Sequence, residues 1–136
     1  MKVTLATVAT AEYEEFFAML VAYHRELDQY ENSEVDPVSP EDKGRASLDD
    51  IQTREFLWTI VNRERAGLII VSTLPDWPDV TRLVASIIEF YVLPKHRRQG
   101  VGRAAIEALL SDHSQRGTAL VEASILYLNE PARAFW

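Results

Sequence analysis

The sequence predicts an α/β fold of the α+β, mixed-sheet kind: a central β-sheet with antiparallel and parallel strands, flanked by helices. Three observations predict it. A run rich in β-branched and aromatic residues (85–92) enters a glycine-bearing turn. An Ala/Leu/Glu/Arg-rich run (103–111) follows, and an alternating run (118–127) closes the unit, so strand, helix and strand form a parallel pair with a right-handed crossover. Upstream, strand-like runs at 56–61 and 68–72 flank a polar segment ending in Gly67 and read as an antiparallel hairpin. Ahead of both, an alternating segment (3–8) precedes a long amphipathic helix. A single domain, residues 1–136, accommodates all of this, because 47% hydrophobic content over that length suffices for one buried core.

Taken in order, the first strand gives way to a helix for which Thr10 offers an N-cap oxygen and Glu12, Glu14 and Glu15 an acidic first turn. Tyr13, Phe16, Phe17, Leu20, Val21, His24 and Leu27 recur at helical spacing as its buried stripe, and His24 reads as a packed, hydrogen-bonded core residue. Residues 31–50 lose the pattern and read as a long loop punctuated by Pro37, Pro40 and Gly44, with a short helix starting at Ser47. That stretch carries Glu31, Glu34, Asp36, Glu41, Asp42, Asp49 and Asp50, an acidic run that is either a solvated face or an attractor for a cation. Residues 74–81, with Pro75, Trp77 and Pro78, read as another loop, and Gly117 marks the end of the second long helix.

Composition excludes several classes. A net charge of −7 argues against general affinity for nucleic acid or anionic lipid, since such partners are held by neutralising phosphates. Without cysteine there is no disulfide, thiolate metal site or thiol nucleophile, and no metal is expected. Neither a signal-peptide pattern nor an apolar run of membrane-spanning length occurs, so a cytoplasmic protein is expected.

Chemistry concentrates between the strand 85–92 and its helix. Arg97, Arg98, Gln99, Gly100, Val101, Gly102 and Arg103 form a basic, glycine-bearing junction. The first amides of a helix lack intrahelical partners and sit at the positive end of its dipole, and glycines there let a phosphate approach the backbone. A plain helix-start turn is the bland alternative. The functional reading is a diphosphate cradle.

The string Arg97-x-x-Gly100-x-Gly102, behind a strand ending Phe90-Tyr91-Val92-Leu93-Pro94 and ahead of Asn129-x-x-Ala132-x-x-Phe135-Trp136, resembles the acyl-CoA loop of the GNAT family of N-acetyltransferases. That resemblance implies a GNAT-like fold whose usual C-terminal strand pair is missing here, and acetyl-CoA as co-substrate. Amides from Arg98 to Arg103 would hold the pyrophosphate, with the charge of Arg97 facing a phosphate. The backbone of Tyr91 and Val92 would pair with the pantetheine arm like an added strand, and Asn129 would hydrogen-bond that arm.

The implied reaction is direct attack of an amine on the thioester, which needs a base because an amine of pKa ~10 is almost all ammonium at neutral pH. Glu89 is the carboxylate on that strand and the candidate base. It lies three residues before Val92, so simple alternation turns it to the other face unless a bulge re-aims it. Trp136 stands where relatives often carry a Tyr acid, and an indole cannot take that part. The acceptor is expected to be a small cationic amine, with the acidic stretch and Trp77 on its side of the site. The short C-terminal segment leads to the expectation of a homodimer through the edge of strand 118–127, or of a chain less stable than a longer one. Two other readings stay open: a non-catalytic acyl-CoA-binding or scaffold domain, and a generic nucleotide-binding domain.

Overall fold

The computed structural model describes residues 1–30, 38–49, 53–124 and 129–136. Glu31, Glu34, Asp36 and Asp50 of the acidic stretch, and positions 125–127 of the last expected strand, lie outside the described residues. The elements are β1 (Val3–Thr7), α1 (Tyr13–Leu27), α2 (Pro40–Ser47), β2 (Arg54–Val61), β3 (Glu64–Asp76), β4 (Asp79–Val92), α3 (Val101–Gln115), β5 (Leu120–Ala123) and α4 (Glu130–Phe135). Five strands form one sheet in the order β1-β2-β3-β4-β5, antiparallel except for the parallel β4/β5 pair. The mixed α+β sheet read from the sequence is therefore the fold.

Strand alternation sorts the apolar side chains into two layers. On one face Phe56, Trp58, Leu68, Ile70 and Tyr91 pack with Phe16 and Leu20 of α1. On the other, Leu57, Ile69, Val71, Ala85 and Ile87 pack with Ala105 and Leu109 of α3. The sheet is buried on both sides, which explains why Leu68 to Val71 is a continuous apolar run.

Local chemistry corrects four sequence-based expectations. Thr10 does not cap α1: residues Thr10–Glu12 form a 3-10 turn, and the Glu12 carboxylate accepts from the Ala9 N–H at 2.8 Å instead. The carboxylate reaches further than a threonine hydroxyl and also accepts from Trp58 Nε1 at 3.3 Å. The expected loop before Ser47 is α2, and Ser47 ends that helix rather than starting one. Ser39 is its N-cap, accepting from the Asp42 N–H at 3.1 Å, and Pro40 occupies the first turn, where its missing N–H costs nothing. The expected loop at 74–81 is mostly strand, with Leu74 paired to Val84 and Pro75 to Leu83 and the turn reduced to Trp77 and Pro78. Pro75 is tolerated because, among the described residues, β3 has no partner on its β2 side beyond Thr73, whose N–H donates to Thr53 O at 3.1 Å. The earlier hairpin is also tighter than expected: Asn62 and Arg63, both at positive φ, make a two-residue turn that matches the twist of β2 and β3.

Candidate active site

Among the described residues the parallel partner of β4 ends at Ala123. The β4/β5 ladder runs only from Val84↔Leu120 to Ile87↔Ala123, so among the described residues β4 has no neighbour on that side from Ile88 to Val92. A cavity of about 710 Å³ occupies the gap, walled by α1, β4, the turn before α3, the first turn of α3, and α4.

An irregularity in β4 sets which of its residues reach the cavity: Ile87, Ile88, Phe90, Tyr91 and Val92 line it, and Glu89 does not. Ile70 pairs with Glu89 but Val71 with Ile87, which leaves Ile88 as an extra residue. This bulge reverses the alternation, so Ile87 and Phe90 pack on the α3 side while Tyr91 packs with α1. Glu89 shares the α1 side with Tyr91. Its carboxylate accepts from Ser47 Oγ at 3.3 Å and lies 3.8 Å from His24 Nε2, with 12% of the side chain exposed. His24 itself meets Ser47 Oγ at 3.1 Å, as a packed core histidine should.

The backbone of the open edge follows from the ladder. Leu93 N–H donates to Ala66 O, so alternation commits the N–H and C=O of Tyr91 to Leu68 and turns those of Phe90 and Val92 toward the gap. Val92 thus faces the cavity through its backbone, whereas Tyr91 reaches it by its side chain.

At the far wall, Arg98 (φ 61°) and Gly100 (φ 80°) take left-handed conformations, and Gly100 is the N-cap residue of α3. A glycine supplies no capping side chain, and the first turn carries no acidic residue, so the amides of Val101, Gly102 and Arg103 lack both intrahelical and capping partners. Such a terminus suits an anion. Gly102 is small for a second reason: a β-carbon there would stand 3.2 Å from Phe135 Cε2 and 3.4 Å from Phe90 Cζ. Phe90, Phe135 and Trp136 form an aromatic cluster with ring centres 5.0–5.6 Å apart, and the last two remain 42% and 45% exposed. Asn129 lines the same wall and accepts from the Ala132 N–H at 3.1 Å, capping α4.

Several expected site side chains are engaged away from the α3 terminus, although Arg97, Arg98 and Arg103 line the cavity. Gln99 Nε2 donates to Lys95 O at 3.3 Å, and Arg103 Nε donates to Glu107 at 3.1 Å on the exposed side of α3. Arg97 turns inward: its Nε donates to Val92 O at 2.8 Å and its two terminal nitrogens to Glu26 at 2.7 and 2.9 Å. Its charge faces a carboxylate of α1, not the α3 terminus. Trp77 is no part of the cavity, because it sits 81% exposed at the tip of the β3–β4 hairpin, the opposite end of β4 from Val92.

Sequence reading missed Glu26, Tyr23 and Tyr30, which line the cavity from the C-terminal end of α1 and the turn after it. Their spacing, three and four residues apart, was the available signal. Hydrogen bonds from Arg97, and secondarily from Tyr91, hold the Glu26 carboxyl below its usual value against the effect of burial. Burial first, and then the Glu26 charge, push the Tyr91 phenol up to about 12, so its proton stays in place at neutral pH. Among the described residues no three His, Asp or Glu side chains converge as metal ligands, and no helix is long and apolar enough to cross a membrane.

This architecture has relatives. Among solved structures it is similar to a ribosomal-protein-alanine N-acetyltransferase from Brucella melitensis biovar Abortus 2308, at 20% identity and a TM-score of 0.74 over 100% of this chain and 88% of that one. An aminoglycoside acetyltransferase from an uncultured soil metagenomic sample shares 19% identity and a TM-score of 0.68, covering 100% of this chain and 89% of its own. A possible acetyltransferase from Clostridium difficile 630 shares 13% identity and a TM-score of 0.73, with 99% and 87% covered. At these identities the likeness is one of fold. No curated protein matches the chain. Its sequence does match the profile of the acetyltransferase (GNAT) family over residues 14–136, nearly its whole length, and the chain belongs to that family.

Proposed function

We propose that the chain is an N-acetyltransferase that moves an acetyl group from acetyl-CoA to the amine of a small, cationic substrate by direct attack. The observation that carries this reading is the meeting, in one cavity, of a strand edge at Val92 that no other described strand pairs with and the N-terminus of α3, whose N-cap glycine supplies no side chain. An extended amide-bearing chain fits the first and a diphosphate the second. Acetyl-CoA would supply the activated acyl group. Among the chain's own residues, the amides of Val101 to Arg103 fix the diphosphate, while the edge of Val92 and the side-chain amide of Asn129 align the arm. Glu89, on the α1 side of the same strand, takes the proton released by the amine. The test is thiol release from acetyl-CoA across a panel of amines, with product mass confirming acetylation.

Trp136 favours a second reading. It lines the cavity with an indole, which has no dissociable proton suited to a departing thiolate. A chain that binds acetyl-CoA in calorimetry but releases no thiol with any amine would be an acyl-CoA-binding domain of the same fold.

A further inference from the structure

On the α1 side of the cavity the protein already holds a cation, and that cation is its own. Arg97 donates to both oxygens of Glu26 at 2.7 and 2.9 Å, and its guanidinium lies 5.4 Å from the centre of the Tyr91 ring. The Tyr91 hydroxyl donates to the same carboxylate at 3.0 Å. Tyr23, 5.2 Å from Tyr91 between ring centres, and Tyr30 complete the wall. A carboxylate among three phenol rings is chemistry that recognises an ammonium or guanidinium group.

Arg97 also covers what a bound acyl donor needs. Its Nε takes up Val92 O, an acceptor on the open strand edge, and Arg97 heads the turn that leads to the unfilled amides of α3. A diphosphate held at those amides would draw on the same guanidinium that Glu26 holds in this structure. The exchange is open to solvent-assisted movement, since the two side chains are 38% and 35% exposed.

We propose that Glu26 selects the acceptor by binding a cationic group on it, and that Arg97 is the placeholder that leaves when the diphosphate arrives. The inference rests on the acetyltransferase reading and narrows its substrate class. A carboxylate raises the pKa of an ammonium beside it, so a nitrogen held at Glu26 is kept protonated and cannot be the nucleophile. The acceptor therefore carries at least two basic nitrogens, one held as a cation at Glu26 and one delivered unprotonated to the thioester.

The experiment compares 1,5-diaminopentane with pentylamine as acceptors, and measures CoA binding by calorimetry, in wild type, Glu26→Gln, Arg97→Ala and the double variant. Wild type should favour the diamine by about tenfold or more in kcat/KM, and Glu26→Gln should lose that preference through the amine KM. Freed of its competitor, Arg97 should let Glu26→Gln bind CoA about three- to fivefold more tightly, the change expected for releasing a part-exposed ion pair. In the Arg97→Ala background the Glu26 substitution should leave CoA affinity unchanged. If Glu26 merely braced the loop, Glu26→Gln would instead bind CoA equally or more weakly, and that result, or a diamine preference surviving in Glu26→Gln, overturns the proposal. Thiol release by wild type without diamine preference also removes it alone, whereas no thiol release at all removes the acetyltransferase reading together with it.

Discussion

Gly67 lies so close to Tyr91 that a β-carbon added at position 67 would overlap the Tyr91 carbonyl oxygen and sit 3.1 Å from the Cα of Val92. The obstructing atoms are backbone, which cannot rotate aside as a side chain does. Gly67→Ala should therefore destabilise the fold by about 1–3 kcal/mol, the usual cost of forcing an extra carbon into a packed site. It should also displace β4 at Tyr91 and Val92, where the strand edge borders the cavity, and weaken CoA binding. Chemical denaturation and calorimetry on the same variant measure the two effects; a stability within about 0.5 kcal/mol of wild type would show that the strands part freely.

How much of this was legible depends on how far apart the deciding residues lie. The central strands and the start of α3 were readable because each is written locally, in alternating apolar residues and in Gly100 and Gly102. Helix α2 was not, because Pro40 and Gly44 look like breaks. In the fold Pro40 fills the first turn, and Gly44 is small because a β-carbon there would stand 3.1 Å from the Phe17 ring. The α1 wall of the cavity was not legible either. Glu26 meets Tyr91 and Arg97 across 65 and 71 residues of chain, and only the packing of α1 against β4 brings them together. The direction of Glu89 depended on a bulge at Ile88, which the sequence admitted but did not require.

Gly100 and Gly102 should fail differently when substituted. Gly100 has φ 80°, so Gly100→Ala carries a backbone cost of about 1–2 kcal/mol in addition to any loss of ligand. Gly102 lies in the helix at an ordinary φ, and a side chain there meets Phe135 and Phe90 instead. Gly102→Val should thus lower CoA affinity by at least tenfold while shifting the aromatic cluster, visible as a change in Trp136 fluorescence. Unchanged affinity in both variants would remove the α3 terminus as the anion site.

His113 gives a pH dependence to stability. Its ring is buried at 1% exposure, with Nδ1 2.9 Å from Thr118 Oγ1 and Nε2 2.8 Å from an Arg116 nitrogen. The Arg116 nitrogen can only donate, so Nε2 accepts and the neutral ring carries its proton on Nδ1. Burial first, and then the Arg116 charge, lower the folded pKa below the free value, while Glu55 and Asp112 oppose the shift. A base with a depressed folded pKa binds fewer protons folded than unfolded, so its contribution is complete above the unfolded value near ~6.5 and is lost as pH falls through the folded pKa. Melting temperature should decline between pH 7 and pH 5, and nuclear magnetic resonance should find His113 titrating below a free histidine as the Nδ1–H tautomer. A His113 titrating above ~6.5 would reverse the sign.

Glu89 is the remaining test of the chemistry, and its surroundings make two outcomes separable. Because the bulge at Ile88 puts it on the α1 side, it shares that face with Tyr91 and the Glu26 wall rather than with Phe90 and the aromatic cluster. Its hydrogen bond from Ser47 Oγ fixes the carboxylate, and Glu89→Gln keeps an oxygen to accept it, so stability should change by less than about 1 kcal/mol. What glutamine cannot do is take a proton. If Glu89 is the base, kcat should fall by about a hundredfold or more, the KM for acetyl-CoA should stay within about twofold, and the acidic limb of the pH–rate profile should disappear. Ser47→Ala, which loosens the carboxylate without removing it, should give a smaller fall in kcat with that limb retained. An unchanged kcat and profile in Glu89→Gln would leave Glu89 as a structural anion beside His24 and assign proton removal to another group or to water.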